Sequence, residues 1–100
     1  MMSRRTLVFD PEAVEEAERS RDWYQERSPR AAANFLDELS HAFEQIASAP
    51  QRWPSYLHGT RRYVFDRYPF YVVYKVFEER IYIIAVAHGR RRPGYWKTRK

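Results

Sequence analysis

The stretch "FYVVYKVFEERIYIIAVA", residues Phe70–Ala87, decides the architecture of this chain. It divides into two runs rich in β-branched and aromatic side chains, Phe70–Phe77 and Arg80–Ala87, with Glu78-Glu79 between them as the turn. Two such runs joined by so short a polar link read as an antiparallel hairpin. Upstream, "RRYVFD" (Arg61–Asp66) follows a loop containing Gly59 and leads through Tyr68-Pro69 into the same hairpin, which extends it to a three-stranded meander. A short β-prone run at the start, "TLVFD" (Thr6–Asp10), supplies a first strand whose partner the pattern does not name. Alternation is imperfect in the last two strands, so the periodicity leaves the faces of individual residues open.

Between the first strand and the meander the periodicity is helical. Asp10-Pro11 is a start signal, because a carboxylate can cap free amides and proline fits the first turn. From Glu12 onward Val14, Ala17, Arg21 and Tyr24 recur at helical spacing. Ser28-Pro29 repeats the start signal and breaks the rod into two helices. In the second helix Ala32, Phe35, Leu39, Ala42, Phe43 and Ile46 form a continuous apolar stripe, ended near Pro50 and Pro54. A helical hairpin cannot bury such a stripe alone, so it should cover one face of the sheet. The expected class is α+β, with a core of Phe35, Leu39, Phe43, Val64, Val72, Tyr74, Ile81, Ile83 and Val86.

One hundred residues support one core and are too few for two, which gives a single domain over 1–100 with 88–100 as a basic tail. The apolar fraction of 44% argues for a folded chain, and a net charge of +5 suits an anionic partner, nucleic acid or acidic protein. That charge is uneven: from His88 onward there are six Lys or Arg and no acid. The absence of cysteine excludes disulfides and thiolate metal sites and agrees with a cytoplasmic setting. No run approaches membrane-spanning length, so no membrane partner is expected. His41, His58 and His88 share no ligand spacing and no glycine-rich strand-to-helix turn occurs, so neither metal nor cofactor is expected.

The meander places Arg61-Arg62 at the opposite end of the sheet from Arg90, and Asp66, Arg67 and Tyr68 at the same end as His88. This singles out Arg67, His88, Arg90, Arg91 and Tyr95 as a candidate site. RNA is cleaved without metal when its 2′-oxygen attacks the adjacent phosphate, a reaction that needs a base, an acid and cationic stabilisation. Histidine serves in either proton-transfer role and arginine holds phosphate. The same residues read equally as an arginine- and aromatic-rich surface for an acidic protein, or as a solvated basic end. Arg61, Arg62, Arg90, Arg92 and Trp96 are the candidate residues for binding nucleic acid or another target.

"YVVYKVFEERIYIIAVAHGRRRPGYW" (71–96) resembles the C-terminal half of small toxins of the RelE/ParE superfamily. "FDPEAVEEAERSRDWYQERSP" (9–29), with the second helix through Ile46 and Pro50, resembles their N-terminal hairpin, and "RRYVFDRYPFYVVYKV" (61–76) their middle. The resemblance implies an N-terminal strand and helical hairpin packed on a small twisted antiparallel sheet. It implies the toxin of a bacterial type II toxin–antitoxin module, neutralised by a cognate antitoxin with an acidic or amphipathic C-terminal segment and reaching operator DNA only through it. One branch cleaves mRNA on the ribosome without metal, and the other inhibits DNA gyrase. By resemblance Arg62 or Arg67, His88, Arg91 and Tyr95 match the nuclease positions. The lack of lysine between Arg61 and Tyr74 departs from the RelE-type site. The long hairpin and the "AHGRRRPGYW" ending are more ParE-like, so gyrase inhibition leads and metal-independent endoribonuclease activity is the alternative.

Overall fold

The computed structural model describes residues 5–99. Strand β1 (Thr6–Phe9) leads into helices α1 (Pro11–Arg27) and α2 (Pro29–Ser48), followed by strands β2 (Arg61–Val64), β3 (Phe70–Val76) and β4 (Arg80–His88). Short 3₁₀ turns, Pro50–Arg52 and Leu57–Gly59, carry the chain from α2 to β2.

Both helix starts follow from the predicted caps. Asp10 Oδ1 accepts the Glu12 N–H at 2.9 Å, and the other carboxylate oxygen accepts the Tyr82 hydroxyl at 2.8 Å. One residue closes α1 and opens α2: the Ser28 N–H donates to the Tyr24 carbonyl at 2.7 Å, while its Oγ accepts the Ala31 N–H at 3.1 Å. Proline occupies the first turn of each helix, where no intrahelical donor is lost.

The sheet has the order β1-β4-β3-β2. The β2–β3–β4 meander is antiparallel, and β1 joins it in parallel alongside β4, from Thr6↔Arg80 to Phe9↔Ile83. Pairing of β3 with β4 shifts between Val73 and Tyr74: Val73 faces Ala85 but Tyr74 faces Ile83, so Ile84 is an extra residue in β4. This bulge is why alternation fails there. Ile81, Ile83 and Val86 pack with Phe35, Leu39 and Ile46 of α2 on one face. Ile84, Ala85 and Ala87 turn together to the other.

That second face is also covered. Tyr71, Val73, Ile84, Ala85 and Ala87 pack with Trp96 from the C-terminal segment, and Tyr56, Tyr82 and Tyr95 border them. Two-sided burial accounts for the nearly continuous apolar character of β3 and β4.

The expected burial of Val64 needs correction. Val64 is 54% exposed, because β2 is an edge strand whose inward residue is Tyr63. On α1 the face turned inward carries Ala13 and Glu16, with Ala17 and Tyr24 beside them, whereas Val14 and Arg21 point to solvent. Phe43 is partly buried, with its ring edge against Phe9 at 5.0 Å. Among the described residues no helix is long and apolar enough to cross a membrane.

The two-layer core makes a direct prediction. Ile83→Ala removes a fully buried side chain and should cost about 2–5 kcal/mol. Val64→Thr should stay within about 0.5 kcal/mol, and urea denaturation of both variants checks the assignment of faces.

Candidate functional site

The candidate site lies at the corner where β4 ends. His88 is paired with Phe70, and the Gly89 N–H donates to the Pro69 carbonyl at 2.7 Å, which holds the β2–β3 loop beside the start of the C-terminal segment. The segment then folds in successive turns, with the Arg91 N–H on the His88 carbonyl at 3.0 Å and the Tyr95 N–H on that of Arg92 at 3.1 Å. Gly94 takes φ +84°, a left-handed conformation favourable to glycine, and lies against the His58 ring. This turn drives Trp96 into the second face of the sheet, where it is 1% exposed between Tyr56 and His58.

The electrostatic centre of the corner is Glu16, 6% exposed on α1. Strand β1 accompanies β4 only as far as Ile83, so beyond that point the edge of β4 lacks a partner strand. Glu16 Oε1 accepts the Val86 N–H at 3.0 Å, and Arg99 donates to the Ile84 carbonyl at 3.1 Å, so these two side chains satisfy that edge. Arg99 also holds both carboxylate oxygens of Glu16, at 3.1 and 3.0 Å, and the Tyr95 hydroxyl donates to Oε2 at 2.7 Å. Arg91 stands 3.9 Å from the same oxygen and stacks 3.8 Å over the Tyr95 ring. Burial raises the Tyr95 pKa, and its hydrogen bond to the Glu16 carboxylate raises it further. Burial alone would lower that of Arg99, but the contacts with Glu16 outweigh it and the net shift is upward.

The predicted site residues are thereby sorted. His88, Arg90 and Arg91 line one cavity with Arg19, Trp23 and Tyr24 of α1. His88 Nδ1 accepts the Arg90 N–H at 3.0 Å, which assigns the proton of a neutral ring to Nε2. Arg67 lies outside that lining, exposed, with its N–H on Glu38 Oε2 at 3.1 Å. Tyr95 is also outside it, its hydroxyl committed to Glu16. Arg61 is tied to the carbonyls of Trp53 and Gln51 across the loop before β2. Arg62 lies over the rings of Tyr56 and Tyr71, at 4.3 and 5.1 Å. Arg92 is exposed, while buried Trp96 offers almost no surface to a partner. Among the described residues no group of three His, Cys, Asp or Glu could hold a metal ion.

Sequence reasoning missed Glu16, Arg99, Arg19 and Trp23. Glu16 follows Ala13 by three residues on one helical face, but it sits among Glu12, Glu15 and Glu18, and nothing local separates the buried acid from the exposed ones.

A short strand, a helical hairpin and a meander whose end is clasped by a basic C-terminal segment define a small toxin-like α+β fold. The ParE toxin family of the type II toxin–antitoxin system parDE matches residues 7–93, and the chain belongs to that family. A solved structure described as the chromosomal ParDE TA system from P. aeruginosa is similar in fold, with a TM-score of 0.67 and 21% identity over 85% of this chain and 96% of that one. No curated protein matches the chain.

Tyrosines of β3 and β4 set an alkaline limit. Burial pushes Tyr71, Tyr74 and Tyr82 up to about 12 from an ordinary 10.0, and the Asp10 carboxylate adds to the shift at Tyr82. Groups raised in the folded state stabilise fully below their unfolded pKa and lose that contribution as pH rises through the folded value. The melting temperature should show no tyrosine-linked loss up to pH 10.0 and then fall as pH approaches 12, in step with phenolate absorbance.

Proposed function

We propose that this toxin arrests growth by binding DNA gyrase in the cytoplasm and is neutralised by a cognate antitoxin whose C-terminal segment is acidic or amphipathic. Operator DNA is reached only through that antitoxin. The carrying observation is the commitment of Tyr95: its hydroxyl is donated to Glu16 at 2.7 Å, and Tyr95 does not join the lining of the cavity that His88 and Arg91 share. With Arg67 also off that lining, the residues a nuclease would need do not converge on one cavity. Arg19, Arg90, Arg91 and Trp23 do converge, and arginine with tryptophan is the composition of a surface that grips protein. Membership of the ParE toxin family supports the same choice.

The second reading is metal-independent cleavage of mRNA on the ribosome. Its support is that His88 and Arg91 share the cavity, which brings a proton-transfer group beside a phosphate-binding one.

Inducing the chain in living bacteria separates the two readings. Gyrase binding predicts altered supercoiling or DNA breakage while transcripts stay intact by primer extension, with toxicity retained in His88→Ala. Cleavage predicts early codon-positioned cuts with intact DNA, and a loss of about 10²–10⁴-fold in cutting when His88 is replaced.

A further inference from the structure

The edges of the sheet are covered unequally. Glu16 and Arg99 satisfy β4 beyond Ile83. The chain before β2 covers the outer side of that strand, where the Arg62 N–H donates to the Pro54 carbonyl at 3.2 Å and Ser55 bridges Arg61. Among the described residues, β1 has no such cover. The Asp10 N–H donates to the Ile83 carbonyl at 2.9 Å, so alternation along the strand turns the backbone groups of Thr6 and Val8 toward β4 and those of Leu7 and Phe9 outward. Natural edges are blunted by charges, proline or a bulge. The strand TLVF carries none of these, and only its length of four residues limits pairing.

Apolar surface borders this strand. Val8, Phe9 and Val14 are exposed, and Phe9, Val14 and Phe43 line a groove of about 250 Å³ in which Glu18 is the one charged residue. Leu7 and Phe9 both face the helical layer, Leu7 against the core and Phe9 against Phe43. What matches this edge is the strand itself, turned through a two-fold axis. With Val8 facing Val8 of a second copy, Leu7 and Phe9 of each chain face Phe9 and Leu7 of the other, and their outward N–H and C=O groups exchange hydrogen bonds. Each Leu7 then lies beside the other copy's Phe9 at the mouth of the groove, so apolar meets apolar. A register centred on Leu7 would set Phe9 against Arg5. The Val8 register instead brings Arg5 to the first turn of the second copy's α1, which carries Glu12, so opposite charges approach at both ends.

We infer that β1 pairs antiparallel with β1 of a second copy of this chain, joining two four-stranded sheets into one across a two-fold axis at Val8. Strand addition of this kind takes its affinity from main-chain hydrogen bonds and its register from alternate side chains. Strands this short bury less than the roughly 800 Å² per partner of a stable dimer, so the pair forms reversibly as concentration rises. Self-association at this edge is independent of which target the toxin binds.

The full chain contains no cysteine, so a single introduced thiol reports on one position. Residues facing each other in a non-hydrogen-bonded pair have Cα atoms about 4.5 Å apart, within the span of about 4.4–6.8 Å that a disulfide bridges. Under mild oxidation Val8→Cys should therefore give a covalent dimer about tenfold or more faster than Val64→Cys, an exposed position on the opposite edge strand. In sedimentation analysis the parent should pass from monomer to dimer as concentration rises. Val8→Lys sets like charges face to face and should weaken that association about tenfold or more. Val8 is exposed, and circular dichroism checks that each variant folds like the parent. A parent that is monomeric at every concentration, equal cross-linking from both positions, or undiminished association of Val8→Lys overturns the inference. So does binding of the antitoxin, and not self-association, that depends on Val8, because the edge then belongs to a strand of that partner.

Discussion

The fold depends on how the edge of β4 is completed. Strand β1 is only four residues long and leaves β4 without a neighbouring strand beyond Ile83. A bare edge there would leave the Val86 N–H and the Ile84 carbonyl unsatisfied. The side chains of Glu16 and Arg99 take the place of the missing strand, one accepting and the other donating. A buried carboxylate is costly to place, and this one is offset by a bidentate guanidinium, a tyrosine hydroxyl and a backbone amide. Because its donors come from α1's neighbour β4 and from the C-terminal segment, one group joins the helical layer, the sheet and the chain end.

That clasp has consequences on both sides of the sheet. The segment after His88 is fixed along the second face, so Trp96 is a core residue and β3 and β4 are buried on both sides. The bulge at Ile84 cooperates by turning two consecutive side chains toward it. The same fixation stations Arg90 and Arg91 opposite Arg19 and Trp23 of α1. The arginines thus fall into two groups. Arg61, Arg62 and Arg99 are held by carbonyls, rings or Glu16, whereas Arg90 and Arg92 are exposed to whatever the protein meets.

Much of the fold was legible because its signals are local. Asp10-Pro11 and Ser28-Pro29 cap the two helices where expected, and the β-branched runs around Glu78-Glu79 form the predicted hairpin. Other features are non-local. The pairing of β1 with β4 joins residues far apart in sequence, and no periodicity in Thr6–Phe9 points to Ile81. The outward face of Val64 is not legible in the sequence, because a four-residue strand has too few residues to fix its phase. In the candidate site, the proximity of His88 to the β2–β3 loop followed from meander geometry alone. The role of Glu16 did not, because burial of one acid among several depends on the chain end that returns to meet it.

The central claim, that the Glu16–Arg99 pair completes the sheet edge and fixes the C-terminal segment, is tested most directly by native-state hydrogen exchange on Arg99→Gln. The account predicts that the amides of Tyr95 and Lys97, bonded within the segment's turns, lose about tenfold or more of their protection, while those of Val72 and Tyr74 in the central strand keep theirs. Unchanged protection at Tyr95 and Lys97 would mean that Trp96 packing alone holds the segment, and would contradict the account.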